Sequence, residues 1–175
     1  MTGNRASTPV MDAFRIRPAN VEDIPLIFRL ICELAEYEGL LPEVAATETL
    51  LREALFGDRP RAEALIGEVA GIPAGFAVYF HNFSTFLARP GLYVEDVFVR
   101  PEYRVRGLGR AFFVHLARLA RERGCGRMEW AVLDWNEGAL RFYRGIGARA
   151  VQEWTLQRLD EKGIASLADG PTPTS

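Results

Sequence analysis

An apolar strand that stops at a proline, a basic glycine-containing turn and a long amphipathic helix follow one another between Leu92 and Arg123. Leu92 to Val99 is apolar enough to lie in the middle of a sheet. Arg100-Pro101 ends it, because proline cannot continue a central strand. Leu108 to Arg123 then carries Leu108, Ala111, Phe112, His115, Leu116 and Leu119 on one side, with Gly124 as its stop. A buried strand feeding a helix with one apolar face belongs to an α/β sheet covered by helices.

The rest of the chain fits that plan. Phe14-Arg15-Ile16-Arg17 alternates up to Pro18 and predicts a first strand. Asn20 and Asp23 open a helix with its stripe at Ile24, Ile27, Phe28, Ile31, Leu34 and Ala35, ended by Gly39 and Pro42. A second helix is expected from Thr47 to Phe56, with Leu50, Leu51, Ala54 and Leu55 inward. Ala64 to Ala70 and Ala74 to Phe80 read as strands around a turn at Gly71-Ile72-Pro73. Met128 to Leu133 reads as a strand, and Glu137 to Ile146 as a helix between Asn136 and Gly147. Val151 to Leu159 reads as a final strand. The order is β-α-α-β-β-β-α-β-α-β: an α/β fold with a mixed central sheet, helices on both faces, no internal repeat and no linker. Residues 1–12 are expected to be a disordered leader, 13–160 the folded domain, and 161–175 a frayed tail.

The totals exclude several classes. With 175 residues, 49% hydrophobic, 25% charged and a net charge of -2, the chain is a globular domain with no global bias toward nucleic acid. Cys32 and Cys125 stand in no metal-ligand spacing and read as two reduced, buried thiols. The first residues lack an apolar signal region and no run approaches membrane-spanning length, which points to the cytoplasm; Met11 offers an alternative start. His81 and His115 have no second ligand at metal spacing, so no metal is expected.

The turn Arg104-Val105-Arg106-Gly107-Leu108-Gly109 suits an anion. The first N–H groups of a helix have no internal partners, and the dipole adds positive potential, about 0.3–1 kcal/mol per contact. Gly107 and Gly109 let a ligand approach the backbone, while Arg104, Arg106 and Arg110 add charge. An ordinary loop with solvated arginines is the alternative for a lone Gly-x-Gly. Neither the P-loop nor the dinucleotide fingerprint fits, since no Gly-Lys-Ser/Thr is present and Phe112 stands where a third glycine belongs.

Glu95-Asp96-Val97-Phe98-Val99-Arg100-Pro101-Glu102-Tyr103-Arg104 running into Gly107-Leu108-Gly109 resembles the signature of the Gcn5-related N-acetyltransferase superfamily. Trp135-Asn136-Glu137, Ala139, Phe142-Tyr143 and Gly147-Ala148 extend the match. Within the superfamily, Glu33-Leu34-Ala35-Glu36-Tyr37-Glu38 and Ala131 to Asn136 are most similar to the spermidine/spermine (diamine) and thialysine N-acetyltransferases. The resemblance implies acetyl-CoA as acetyl donor, a small primary amine as acceptor and a homodimer. It departs at Val105, where relatives usually carry glycine, and valine resists positive φ.

Several side chains have two readings each. Glu95 and Asp96 interrupt an apolar strand, so they either reach solvent at its edge or serve the reaction. The resemblance implies Glu95 as general base and Asp96 beside a cationic substrate. Glu38 extends the inward stripe of the first helix at its last turn, where a carboxylate meets an unfavourable dipole of about 0.3–1 kcal/mol. It is either a solvated helix end or, with Tyr37, an ammonium site. Tyr143 is a half-buried packing tyrosine or, as the resemblance implies, the acid that protonates the coenzyme A thiolate. Asn136 is a helix cap that the family also sets near the cofactor, and Val97 and Val99 join the cofactor side by resemblance. Trp154 either walls the amine site or packs in the core. A protein amine as acceptor, or a non-catalytic acyl-CoA sensor, are the competing functions.

Overall fold

A period-two alternation of buried side chains puts both faces of one five-stranded sheet to use. In a computed structural model describing residues 14–104 and 106–170, the strands are β1 (Phe14–Pro18), β2 (Glu63–Val69), β3 (Ile72–Ser84), β4 (Arg89–Val99) and β5 (Arg127–Trp130). They lie in the order β1-β2-β3-β4-β5, antiparallel from β1 to β4, with β5 parallel to β4. The sheet is mixed, as expected. The chain divides into two units, residues 1–133 and 134–175, although no linker composition marks the division.

Within the first unit, alternate residues of each strand point to opposite cores. Leu65, Ala77, Tyr79, Leu92 and Val94 pack with Leu108, Phe112 and Leu116 of α3 (Leu108–Glu122). Ala64, Ile66, Phe76 and Phe98 pack with Ile24, Ile27 and Leu30 of α1 (Ile24–Glu38) and Leu55 of α2 (Glu48–Phe56). Helices thus cover both faces. Gly67 lies under α3, and a Cβ there would stand 2.6 Å from Cζ of Phe112, so the close approach of this ring requires glycine.

The helix starts follow the expected chemistry. Asn20 and Asp23 form a reciprocal capping box, and Thr47 Oγ1 accepts from the N–H of Leu50 at 3.2 Å. Arg17 donates to both Asp23 oxygens at 2.7 and 2.8 Å and to Glu68 at 2.8 Å, which holds the Asp23 carboxyl below its ordinary range.

Four expectations need correction. The β2–β3 turn is not Gly71-Ile72-Pro73 but the pair Ala70 and Gly71, with φ of 50° and 80°. Two central residues at positive φ match the twist of the flanking strands, so Ile72 and Pro73 fall inside β3. Leu50, expected inward, is 57% exposed, because Leu51, Ala54 and Leu55 already complete the inner face of α2. Val151 to Leu159 is not a strand: it joins no ladder, and a strand needs a partner for its backbone groups. Residues 161–168 are not frayed but form a helix capped by Asp160, whose Oδ1 accepts from Gly163 N–H at 2.8 Å. Residues 1–12 of the expected leader lie outside the described residues.

Gly67→Ala should destabilise the protein by about 1–3 kcal/mol through overpacking against Phe112. Urea denaturation would check this; an unchanged midpoint would contradict the close packing of α3 on β2.

Candidate active site

An extra residue in β4 brings the acidic side chains together. On the β3–β4 ladder Val78 pairs with Asp96 and Tyr79 with Val94, so Glu95 has no opposite residue and forms a bulge. The bulge reverses the alternation of the strand. Leu92 and Val94 face α3 before it, and Val97 and Val99 face α3 after it. Asp96 and Phe98 are thereby turned to the α1 face, where the rings of Phe98 and Phe76 lie 6.5 Å apart. Glu95 itself is exposed. Beyond the bulge β4 also loses β5, whose pairing ends at Val94 with Trp130. The sequence held this signal in its apolar spacing, which steps by three between Val94 and Val97.

The turn of Asp96 to the α1 face sets it beside the end of α1. That helix stops at Gly39, in the left-handed region at φ 73°. Glu38, on its last turn, is half-buried, and burial raises its carboxyl above the ordinary value. Burial, then the charges of Glu95 and Glu38, push Asp96 up to about 6. The charges of Glu95 and Glu38 therefore both reach Asp96. Such a cluster is poised for a cation.

The cradle follows β4 directly. A 3-10 turn at Pro101–Tyr103 leads to Arg104, and Gly107 takes φ 94° immediately before α3. Only glycine adopts that conformation without strain. The first intrahelical bond runs from Ala111 N–H to Gly107 C=O at 2.9 Å, and no side chain caps the helix. The N–H groups of Leu108, Gly109 and Arg110 thus precede the internal ladder. A Cβ at Gly109 would meet nothing within 4 Å, so the backbone there is open to a ligand, while Leu108 is buried under the sheet. Arg106 and Arg110 are exposed. Arg104 is used otherwise: its Nε donates to Val99 C=O at 2.8 Å and its guanidinium covers the Tyr37 ring at 4.3 Å. Val105 lies outside the described residues.

In the second unit, α4 (Glu137–Gly145) begins at Asn136, whose Oδ1 accepts from Ala139 N–H at 3.1 Å. The rings of Phe142 and Tyr143 lie 5.5 Å apart and Tyr143 is half-buried. Trp154 is 75% exposed and belongs to no core. Cys32 and Cys125 are free thiols, each half-buried rather than fully so.

The profile of the Acetyltransferase (GNAT) family matches residues 30–148. The chain belongs to the GNAT acetyltransferase family. It is 36% identical over 164 residues to the thialysine N-epsilon-acetyltransferase of Bos taurus, covering 87% of this chain and 96% of that protein. It is 32% identical over 198 residues to the L-ornithine N5-acetyltransferase NATA1 of Arabidopsis thaliana, with 87% of each covered. The solved structure of an integron cassette protein from the V. cholerae mobile metagenome is 26% identical, with a TM-score of 0.75, covering 90% of this chain and 98% of that one.

As a GNAT protein the chain is an acetyl-CoA-dependent N-acyltransferase acting on amines. The residues present fit the donor: an uncapped helix start, the left-handed Gly107 and the open backbone at Gly109 suit a pyrophosphate. Among the described residues no helix is long and apolar enough to cross a membrane. Three contributors escaped the sequence reading: the bulge, the stack of Arg104 on Tyr37 and the pair Glu33–Arg100.

The Asp96 carboxyl binds its proton more tightly in the native chain than at its ordinary value of 3.8. Stability from this proton is complete below the ordinary value and is lost as pH rises to about 6. Asp96→Asn should therefore stabilise the protein at pH 7.5 and give less advantage at pH 4. Urea melts at both values check this; an equal difference at each would contradict it.

Proposed function

We propose that the protein transfers the acetyl group of acetyl-CoA to the terminal amine of a small di- or polyamine or a lysine-like amino acid such as thialysine. The carrying observation is the acidic trio Glu38, Glu95 and Asp96 on the strand and helix that flank the glycine cradle. Thialysine and ornithine, named for the bovine and Arabidopsis relatives, are both amino acids ending in a primary amine. That shared ending supports the lysine-like acceptor.

Acetyl-CoA supplies the thioester carbonyl that the amine attacks. An alkylamine with a pKa near 10.4 is neutral in only about one molecule per few thousand at pH 7. Removing its proton is worth up to about 4–5 kcal/mol of barrier. In this reading Glu38 and Asp96 receive the ammonium, with Tyr37 beside it. Glu95, exposed at the bulge, takes the proton directly or through water. The phenolic hydroxyl of Tyr143 protonates the departing sulfur, and Asn136 helps hold the donor. Leu108, Gly109 and Arg110 offer N–H groups to the pyrophosphate, Arg106 and Arg110 add charge, and Val97 and Val99 lie along the same path. A bound ammonium also lowers the Asp96 carboxyl back toward its ordinary value.

The reading includes an acetyltransferase domain at residues 13–160, a cytoplasmic location and a homodimer, without nucleic acid, membrane or metal. The exposed Trp154, Leu156, Leu159 and Leu167 support a self-associating surface.

A panel of thialysine, ornithine, spermidine, putrescine and lysine-bearing peptides with acetyl-CoA should show turnover on the small amines. Turnover on peptides alone would sink the small-amine reading, and binding without turnover on any amine would favour a sensor. Tyr143→Phe should lower kcat by about 10²-fold or more, a size typical of acid–base catalysis, with acetyl-CoA affinity nearly unchanged. Wild-type turnover in that variant would remove Tyr143 from the mechanism.

A further inference from the structure

The connection from β4 to α3 is tied to the last turns of α1 by two arginines spaced to match that helix. Arg100 donates to both oxygens of Glu33, at 2.8 and 2.6 Å, and to Pro73 C=O at 3.0 Å. Four residues later the Arg104 guanidinium covers the ring of Tyr37, itself four residues after Glu33, with its carbon 4.3 Å from the centroid. Residues four apart share one helix face, so the two arginines form successive rungs against it. The second rung has two further contacts. Phe98 lies 5.7 Å from the same guanidinium carbon, and Nε is bonded to Val99 C=O. The planar head of Arg104 is therefore packed among protein groups at the entrance to the Gly107 turn.

The two ends of this stack belong to different tasks. Arg104 opens the loop that ends in the cradle. Tyr37 precedes Glu38, whose charge reaches Asp96. We propose that the Tyr37–Arg104 stack is a positioning pair that couples the cofactor loop to the amine-binding acids, so that Tyr37 strengthens acetyl-CoA binding through Arg104. This rests on the acetyl-CoA reading above. Coupling between two sites is reciprocal, so occupation of the cradle also orders the last turn of α1 and raises affinity for the amine. A lysine at position 104 keeps the charge but loses the flat face and the Nε bond, and cannot serve.

Calorimetric titration with acetyl-CoA tests this on the wild type, Tyr37→Phe, Tyr37→Ala, Arg104→Lys and the Tyr37→Ala/Arg104→Lys double variant. Tyr37→Phe, which keeps the ring, should bind within about twofold of wild type. Tyr37→Ala and Arg104→Lys should each weaken binding about fivefold or more, within the usual range of intersite coupling. The double variant should be no weaker than the weaker single one, because both remove the same contact. Unchanged affinity in Tyr37→Ala, or additive losses in the double variant, would overturn the coupling. Additive losses would mean that Tyr37 and Arg104 act on the cofactor separately. Thermal melts accompany each titration, and Tyr37→Leu, which keeps bulk without a π face, replaces the alanine variant should that one melt lower. A wild type that does not bind acetyl-CoA would overturn the acetyltransferase reading as well, an outcome distinct from the others.

Discussion

The bulge at Glu95 changes the phase of β4, and the acidic half of the site depends on that change. In an unbroken strand Leu92, Val94, Asp96 and Phe98 would share one face. Asp96 and Phe98 would then press into the core beneath α3, beside Leu108 and Phe112, while Val97 and Val99 turned away from it. The extra residue reverses this. It lets one strand contribute apolar side chains to the α3 core along its whole length while sending a carboxylate to the end of α1. The same residue marks the point where β5 stops accompanying β4.

Burial of the carboxyls around this point opposes folding locally. Asp96 lies within reach of Glu38 near the end of α1, whose dipole already disfavours negative charge. Burial raises both Asp96 and Glu38, and the charges of Glu95 and Glu38 add to the rise at Asp96. Arg100 and Arg104 contact Glu33 and Tyr37 on the last turns of the same helix. Opposite demands are thus kept apart along a short path, with carboxylates for a cation on one side and an uncapped helix start for an anion on the other. Separation of this kind suits a reaction that joins a cationic acceptor to a polyanionic donor.

The elements around the site were legible in the sequence where one residue type has one physical reason. Gly107, Gly124 and Gly39 all take positive φ at the turns where they were expected to end or begin helices. Asn20, Thr47 and Asn136 cap the helices they precede. The misreadings arose where pairing, rather than composition, decides. Pro73 reads as a turn residue, yet it sits in β3 next to a register shift, and the turn is set by Ala70 and Gly71. Val151 to Leu159 reads as a strand but joins no ladder. Glu95 and Asp96 were singled out as carboxylates in an apolar strand, but their assignment to opposite environments needed the β3 register. Neither the stack of Arg104 on Tyr37 nor the Glu33–Arg100 pair could be read from positions 67 residues apart.

The central claim is that the start of α3 holds the pyrophosphate of acetyl-CoA through its backbone. Amide chemical shifts recorded during titration with coenzyme A test it most directly. The account predicts that the amides of Gly107, Leu108, Gly109 and Arg110 shift most and saturate together. Saturable binding that leaves these four amides unmoved would contradict it.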